Sequence, residues 1–277
     1  MSKQRKIIII FLVLIILGCL GYIGYYVYDT YIVPKQEDKK NDELRKEYKV
    51  VQLDDKDYDP TPKFEYDEYG DLVKKEPEAP KAAAIPPQDD ESVDNRTSLE
   101  KIQEKNKNVL AWIKVDDTTI DYPVVQGKDN EYYLQRDING YYSVNGSIFL
   151  DKSVELGKSQ NIVIYGHYMN ADCMFHSLDK FKLAEFGRSH DVYFDMGDGY
   201  NPAYEVVAVF TCSSFDAVKY TQPDFDKTSV SDYIKEIKGK RTYDTGKEME
   251  EFDQYLTLVT CSYDHQNYRT VVVCRRK

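Results

Sequence analysis

Residues 98–277 are predicted to form a mainly β fold, either a closed barrel or a sandwich. Eight runs rich in Val, Ile, Tyr and Phe alternate with turns that contain Gly, Asn and Asp, as is typical of short strands. Helical patterns inside this region occur only at 174–186 and 230–238, too few for a doubly wound α/β fold. The runs are 110–115, 119–126, 146–151, 161–167, 191–196, 204–212, 255–261 and 269–275.

An uncharged stretch at residues 7–28 is long enough to cross a membrane. At about 1.5 Å per residue, a helix of this length spans a hydrocarbon core of roughly 30 Å. Three basic residues precede it and Asp29 follows, so the positive-inside rule places the amino terminus in the cytoplasm and the remainder outside the cell. A cleaved signal peptide or a lipoprotein signal at Cys19 fits this pattern less well. We therefore expect residues 1–28 to be a single-pass anchor.

Residues 29–97 have the composition of an extended extracellular stalk. They are rich in proline and in charge runs and contain one of the fourteen glycines of the chain. Such a segment cannot bury enough apolar surface to offset the chain entropy lost on folding. A local helix is expected around residues 41–50. The folded domain is then expected at residues 98–277.

Charge and cysteine content narrow the functional classes. The net charge is −11 and no basic stripe occurs, which argues against nucleic acid as a partner. The five cysteines are an odd number, unlike the set of a disulfide scaffold, so we expect at least one external thiol to be free for chemistry. Cys212 and Cys274 are expected to be buried, and Cys173 with His176 lacks a second ligand pair for a metal. We therefore expect neither a metal nor a cofactor.

Three residues suited to acyl transfer lie at strand ends. Cys261 ends the seventh run, His167 ends the fourth and Arg269 begins the eighth. A barrel holds such positions rigidly and leaves them accessible. A thiol must lose its proton to become a nucleophile, and a histidine can exchange protons with the leaving and entering groups. An arginine stays protonated and can stabilise an oxyanion.

These residues lie in a pattern that resembles the sortases, the membrane-anchored cysteine transpeptidases of Gram-positive bacteria. The pattern is Thr-Leu-Val-Thr-Cys at 257–261, Arg269 downstream and Tyr-Gly-His at 165–167. The segments 121–127 and 146–151 are similar to those of the class B members. The resemblance covers the whole of the predicted catalytic domain, and the anchor and stalk fit the usual topology of the family.

The resemblance implies an eight-stranded sortase-type β-barrel with two additional helices. Class B sortases carry an amino-terminal helix and a helix between strands six and seven, and residues 97–108 and 230–238 occupy these places. The pilus-building class has a lid with an Asp-Pro-aromatic motif, whereas the Asp-Pro at residues 59–60 is followed by Thr61. An enzyme that anchors proteins to the cell wall is therefore preferred over a pilin polymerase.

The resemblance also implies a reaction. Cys261 would attack the carbonyl of a Thr in a C-terminal sorting motif of a secreted protein, of the Asn/Ser-Pro-x-Thr type, and form a thioacyl intermediate. His167 would protonate the leaving amine and deprotonate the incoming one, while Arg269 would stabilise the oxyanion or position the substrate. The incoming amine would belong to peptidoglycan or its lipid-linked precursor. Supporting positions are expected at Thr260, Tyr165 and Tyr168.

Three alternatives remain open at this point. Tyr168 stands where many class B members have Asn, and His265 lies between Cys261 and Arg269, where it could compete with His167 for the acid/base role. The same residues could serve a membrane-tethered cysteine peptidase that releases its thioacyl intermediate to water. The protein could also be a non-enzymatic surface scaffold in which these side chains are structural.

Overall fold

Eight strands close into a barrel in the carboxyl-terminal part of the chain. The computed structural model describes residues 3–48, 63–66, 72–75, 98–197, 203–225, 227–262 and 267–277. The barrel strands are β1 (Val109–Lys114), β2 (Asp121–Gln126), β3 (Ile148–Leu150), β4 (Asn161–Tyr165), β5 (Asp191–Asp195), β6 (Ala203–Ser213), β7 (Tyr255–Ser262) and β8 (Tyr268–Arg276). Each strand overlaps one of the eight predicted runs, so the predicted barrel is confirmed.

The order of the strands around the barrel is β6-β8-β7-β4-β3-β2-β1-β5, and β5 closes the ring on β6. Neighbouring strands are antiparallel except in two pairs, β2 with β3 and β4 with β7, which are parallel. The chain must cross the barrel to make a parallel pair, because a hairpin joins only antiparallel strands. The β4–β7 pair therefore brings together segments that are distant in sequence.

Helices precede the barrel and fill its connections. The α-helices are α1 (Lys3–Val27), α2 (Val33–Asp38), α3 (Asp42–Glu47), α4 (Ser98–Lys105), α5 (Ala184–Ser189), α6 (Ser214–Ala217) and α7 (Lys227–Lys240). A π-helix at Tyr28–Ile32 and a 3-10 turn at Lys39–Asn41 connect the first three. The expected amino-terminal helix is α4, and the expected helix between β6 and β7 is α7, so both are confirmed.

Apolar side chains fill the barrel and cover part of its outer surface. Inside, β4 and β7 contribute Ile164 and Leu258, which have no exposed surface. Outside, α7 presents Val230, Tyr233 and Ile237 at helical spacing to a cluster on β6 and β8. Because strands in this region are covered on both faces, their sequences read as nearly continuous apolar runs.

The amino-terminal helix extends far beyond the apolar stretch. From Gln4 to Glu47 the chain is helical for 44 residues, and its most apolar window has a mean hydropathy of 3.0 with no part of that window buried in the protein. This helix is long and apolar enough to cross a membrane. Its carboxyl-terminal end, however, packs against the barrel.

Tyr48 and Pro34 mark the two ends of that contact. The Tyr48 ring stacks on Trp112 with centroids 4.3 Å apart and an interplanar angle of 11°, and its hydroxyl donates to Asp195 at 3.0 Å. The Asn145 side-chain amide donates to the Pro34 carbonyl at 2.8 Å. Tyr48 and Pro34 are both buried. The helix is therefore held to the barrel along about four turns.

Between these ends, two charged residues of the helix, Arg45 and Asp38, are partly buried and paired. Arg45 donates to the Asp121 carbonyl at 2.8 Å and pairs with Asp38 at 3.0 Å. Its guanidinium carbon lies 4.5 Å from the centre of the Tyr122 ring. The Tyr122 hydroxyl donates to Asp38 at 2.8 Å. The charged sequence thus forms a polar interface with β2.

This interface differs from the expected extended stalk in residues 33–48. The local helix expected around 41–50 is present as α3. Residues Lys63–Tyr66 and Leu72–Lys75 form a two-stranded sheet. The remainder of the predicted stalk lies outside the described residues, and the domain boundaries stay a prediction.

Replacing Tyr48 by Ala tests the docking of this helix. Loss of a buried aromatic ring is expected to lower the free energy of unfolding by about 3 kcal/mol. Trp112 is the one tryptophan of the chain, so its fluorescence should also shift to the red as it becomes exposed. Urea unfolding of the detergent-solubilised full chain measures both effects. The control, Tyr141→Ala, removes a ring that is 72% exposed and should change stability by less than about 0.5 kcal/mol; equal stability of the two variants would contradict the docking.

Candidate active site

The parallel pair β4–β7 positions the predicted catalytic residues. Tyr165 at the end of β4 lies opposite Val259 of β7. His167 follows Tyr165 by two residues. Cys261 follows Val259 by two residues as well, so both leave the pair at the same end of the barrel. Antiparallel pairing places Arg269 of β8 opposite Cys261. The backbone therefore brings all three positions to one edge of the barrel.

A cleft opens to solvent at this edge. Its volume is about 390 Å³, within the range of small-ligand sites. It receives side chains from β4, β7 and β8 and from the loop between β2 and β3. The lining residues are Asn130, Leu134, Phe149, Tyr165, Gly166, His167, Val259, Thr260 and Arg269. Two of the three predicted catalytic residues thus share one cleft, and Cys261 is placed beside it by strand register.

The His167 ring is held by a main-chain carbonyl. Its Nε2 atom lies 2.7 Å from the carbonyl oxygen of Leu134. A carbonyl oxygen only accepts, so Nε2 carries a hydrogen in this geometry. The main chain is fixed as well, because the Phe175 N–H donates to the His167 carbonyl at 2.9 Å. This arrangement leaves Nδ1 as the ring nitrogen that can gain or lose a proton.

Gly166 lets the chain before His167 pass through a crowded part of the barrel. A Cβ atom at this position would lie 2.5 Å from Ile148 Cδ1 and 2.7 Å from Phe175 Cδ2, closer than carbon atoms pack. The Gly166 N–H donates to the Val259 carbonyl at 3.2 Å, which extends the pairing with β7. The glycine in the Tyr-Gly-His motif therefore has a packing role.

Arg269 is half-buried at the rim of the cleft. One of its terminal nitrogens donates to the Tyr268 carbonyl at 3.1 Å. A guanidinium has further N–H groups and stays protonated at any physiological pH. Arg269 can therefore present a fixed positive charge and hydrogen-bond donors to a ligand in the cleft.

The three supporting candidates differ in their positions. Tyr165 lines the cleft, and its hydroxyl donates to Asp151 at 3.1 Å; burial and this carboxylate raise the pKa of the Tyr165 phenol. Thr260 lines the cleft and is 2% exposed. Tyr168 lies in a short sheet beyond His167, with its ring centre 4.5 Å from that of His176. The first two are therefore closer to the cleft than the third.

The cysteines expected to be inert are buried. Cys173, Cys212 and Cys274 are at most 3% exposed. Burial raises the pKa of Cys173 to about 12 and that of Cys212 to about 11, and it raises the pKa of Cys274 as well. All three stay protonated at neutral pH. The expectation for Cys212 and Cys274 is confirmed, and Cys173 lies in the barrel core.

Two parts of the predicted site stay predictions. The side chain of Cys261 and residues 263–266, which include His265, lie outside the described residues. The competition between His265 and His167 therefore stays open. Within the described residues, no cluster of three His, Cys, Asp or Glu side chains could hold a metal ion.

Sequence reasoning missed the opposite wall of the cleft. Asn130 and Leu134 come from the loop after β2, and Phe149 comes from β3. Leu134 contacts His167 through its main-chain carbonyl. Every residue type has this group, so the sequence does not indicate the contact. Asn130 lies in a polar turn that resembles any solvated loop.

Comparison with known proteins agrees with this geometry. The sortase domain family model matches residues 113–277. The chain belongs to the sortase family. Sortase B of Listeria monocytogenes is 31% identical over 182 residues, which cover 64% of this chain and 73% of that protein.

Two solved structures extend the similarity to the fold. Sortase B of Bacillus anthracis has a TM-score of 0.64 and 29% identity, covering 88% of this sortase and 98% of that chain. The sortase B–substrate complex of Staphylococcus aureus has a TM-score of 0.60 and 29% identity, covering 65% of this sortase and 84% of that chain. The class B resemblance is thereby confirmed, and with it a cysteine transpeptidase that processes and anchors surface proteins.

Substituting Gly166 tests the close approach of β4 to β7. Gly166→Ala should lower the free energy of unfolding by about 1–3 kcal/mol through overpacking and should also lower peptide cleavage, because His167 follows directly. Thermal unfolding and a cleavage assay measure the two effects.

The matched control is Gly239→Ala within α7, where a Cβ would meet nothing within 4 Å. Alanine favours a helix over glycine, so this variant should be as stable as the unmodified sortase or up to about 1 kcal/mol more stable. If Gly166→Ala were tolerated equally well, the assigned packing role would be incorrect.

Proposed function

We propose that this sortase uses Cys261 as nucleophile, His167 as acid and base, and Arg269 as the cation that stabilises the oxyanion. The single observation that carries the proposal is the register of three neighbouring strand ends. The pairing of β4 with β7 ends at Tyr165 and Val259, two residues before His167 and Cys261, and β8 aligns Arg269 with Cys261. The backbone distances between neighbouring strands, about 4.8 Å, suit side chains that act on one substrate bond.

In the first half-reaction, the Cys261 thiolate attacks the carbonyl carbon of the Thr in a sorting motif. The carbonyl oxygen becomes an oxyanion, which the Arg269 guanidinium stabilises. The C–N bond then breaks, and the departing amine takes a proton from Nδ1 of His167. A thioacyl enzyme and a free amine remain. The Leu134 carbonyl keeps Nε2 protonated throughout and fixes the ring plane.

In the second half-reaction, an acceptor amine attacks the thioacyl carbon and gives a proton to Nδ1 of His167. A second oxyanion forms and collapses, the C–S bond breaks, and Cys261 leaves as the thiolate. A new amide joins the surface protein to the acceptor. The proton taken from the acceptor replaces the one lost in the first step, so the enzyme returns to its starting state.

The substrates are proposed by class. The acyl donor is a secreted protein with a C-terminal motif of the Asn/Ser-Pro-x-Thr type, and the acceptor is an amine of peptidoglycan or of its lipid-linked precursor. The solved structure of a Staphylococcus aureus sortase B–substrate complex supports the binding of a sortase substrate by this fold. The apolar lining by Leu134, Phe149 and Val259 beside polar His167 and Arg269 suits a peptide with apolar and polar groups.

The location is proposed from the amino-terminal helix. Helix α1 crosses the cell membrane once, with the basic residues at its amino-terminal end in the cytoplasm and the barrel outside. The apolar segment and its basic flank support this orientation. It places the cleft where secreted proteins and cell-wall precursors meet.

Peptide cleavage by the full chain in detergent tests the assignment. The probe is a peptide library built on Asn-Pro-x-Thr and Ser-Pro-x-Thr, incubated with and without triglycine as amine acceptor. Cys261→Ala should lower cleavage at least 1,000-fold, because it removes the nucleophile. Mass spectrometry should find the triglycine adduct with the unmodified sortase; a hydrolysis product alone in the presence of triglycine would indicate the peptidase instead.

Two histidine variants test whether His167 or His265 is the acid and base. His167→Ala should lower kcat at least 100-fold, within the usual contribution of a general acid and base, whereas His265→Ala should retain most of the activity. Steady-state kinetics with the best library peptide measure both. Full turnover by His167→Ala together with loss in His265→Ala would transfer the role to His265.

Thiol labelling distinguishes an enzyme from a non-enzymatic scaffold, and the experiment needs no substrate. Iodoacetamide at pH 7 should label Cys261 before Cys173, Cys212 and Cys274, because burial keeps those three thiols protonated. Peptide mapping of the labelled chain identifies the modified positions. Equally slow labelling of the four would favour a scaffold.

A further inference from the structure

A buried carboxylate lies directly behind the wall of the catalytic cleft. Asp151 follows β3 and is 7% exposed. Removing a carboxylate from water is costly unless hydrogen bonds or a cation compensate. Within the described part of the chain, no Lys, Arg or His forms an ion pair with Asp151 in the structure. Its hydrogen-bond partners therefore decide what it does.

Two of those partners are side chains that line the cleft. The Asn130 amide nitrogen donates to Asp151 Oδ2 at 2.7 Å, and the Tyr165 hydroxyl donates to the same oxygen at 3.1 Å. The other carboxylate oxygen, Oδ1, accepts from the Ser153 N–H at 2.8 Å. One carboxylate thus joins the loop after β2 to the end of β4.

The orientation of the Asn130 amide is determined at both of its ends. Its oxygen accepts from the Lys152 N–H at 2.7 Å, while its nitrogen donates to Asp151. A reversed amide would place a donor against the Lys152 N–H and an acceptor against a carboxylate. Asn130 can therefore present only one face to the cleft.

Asp151 is itself held firmly by the main chain. Its N–H donates to the Val163 carbonyl at 2.9 Å, and its carbonyl accepts from the Gln126 side-chain amide at 2.8 Å. Both partners, Val163 of β4 and Gln126 of β2, belong to barrel strands. Because the barrel holds the Asp151 main chain in place, the carboxylate can hold the Asn130 and Tyr165 side chains in fixed positions.

We propose that Asp151 is a positioning residue of this sortase, which fixes Asn130 and Tyr165 as one wall of the cleft that contains His167 and Arg269. The proposal rests on the proposed function of that cleft. It predicts that loss of the carboxylate impairs the reaction beyond any loss of stability.

Asp151→Asn is the informative variant because it keeps the shape of the side chain. If the new amide oxygen accepts from the Ser153 N–H, the new amide nitrogen faces the Asn130 nitrogen, and two donors oppose each other. Reversal of either amide moves the conflict to Ser153 or to Lys152. A displacement of about 1 Å in a catalytic site can cost up to 100-fold, and we expect kcat/KM to fall at least tenfold.

Asp195→Asn is the matched control. Asp195 is 8% exposed, accepts from the Tyr48 hydroxyl at 3.0 Å and accepts from the Gly197 N–H at 2.8 Å. Like Asp151, it is buried and accepts from a tyrosine hydroxyl and a main-chain N–H, but these two partners do not line the cleft. Its variant should lose similar thermal stability while kcat/KM stays within about twofold.

The exchanged pair Asp151→Asn with Asn130→Asp provides a rescue. Asn at 151 can accept from Ser153 and donate to Asp at 130, which can still accept from Lys152. The double variant should recover kcat/KM at least threefold over Asp151→Asn alone. Both measurements use the full chain in detergent and the Asn/Ser-Pro-x-Thr peptide that the unmodified sortase cleaves best.

The outcomes separate this proposal from the proposed function. An unmodified sortase that cleaves no library peptide contradicts the proposed function. An active sortase in which Asp151→Asn and Asp195→Asn lose equal kcat/KM overturns the positioning role. Failure of the exchanged pair to improve on Asp151→Asn overturns the role of Asn130. A selective loss with rescue supports the proposal.

Discussion

The parallel pairing of β4 with β7 is the constraint on which the site depends. Its register is fixed at the start of the pair, where Thr257 donates to the Asn161 side chain at 2.8 Å. A slip by one residue would turn every side chain of the strand to the opposite face, which would remove Leu258 from the barrel interior and bring the polar Thr257 into it. The hydrophobic core therefore determines how far His167 lies from Cys261 along the barrel. Stability and catalytic geometry come from the same pairing.

The docked amino-terminal helix adds a second constraint, which concerns orientation. A flexible stalk would let the barrel turn freely above the membrane, whereas a continuous helix up to Glu47 transmits its own direction to the barrel. The contact uses stacking of Tyr48 on Trp112 and the paired charges of Arg45 and Asp38. Because these groups are partly buried, salt screens them less than exposed ion pairs. With α1 in a bilayer, as proposed, the cleft lies at a defined height above the surface.

The sequence predicted the barrel because its strands are covered on both faces and read as apolar runs. It predicted the strand-end residues because a Cys and a His at the ends of such runs, with an Arg at the start of another, suit one reaction. It failed for residues 33–48, whose charges resemble those of a solvated linker but pair with one another and with β2. It also failed for Asn130 and Asp151, because loop paths rather than residue types bring them together. Local sequence patterns indicate which residues are buried. Contacts between residues that are distant in sequence become visible only in the three-dimensional structure.

Asp151 illustrates why a polar group persists in a buried position. An apolar residue of similar size would avoid the cost of burying a charge but would remove the acceptor that Asp151 provides to the Tyr165 hydroxyl and the Asn130 amide. Without that shared acceptor, the two side chains would become free to move relative to each other. The carboxylate is therefore favoured by its partners rather than by its own burial, and those partners line the cleft.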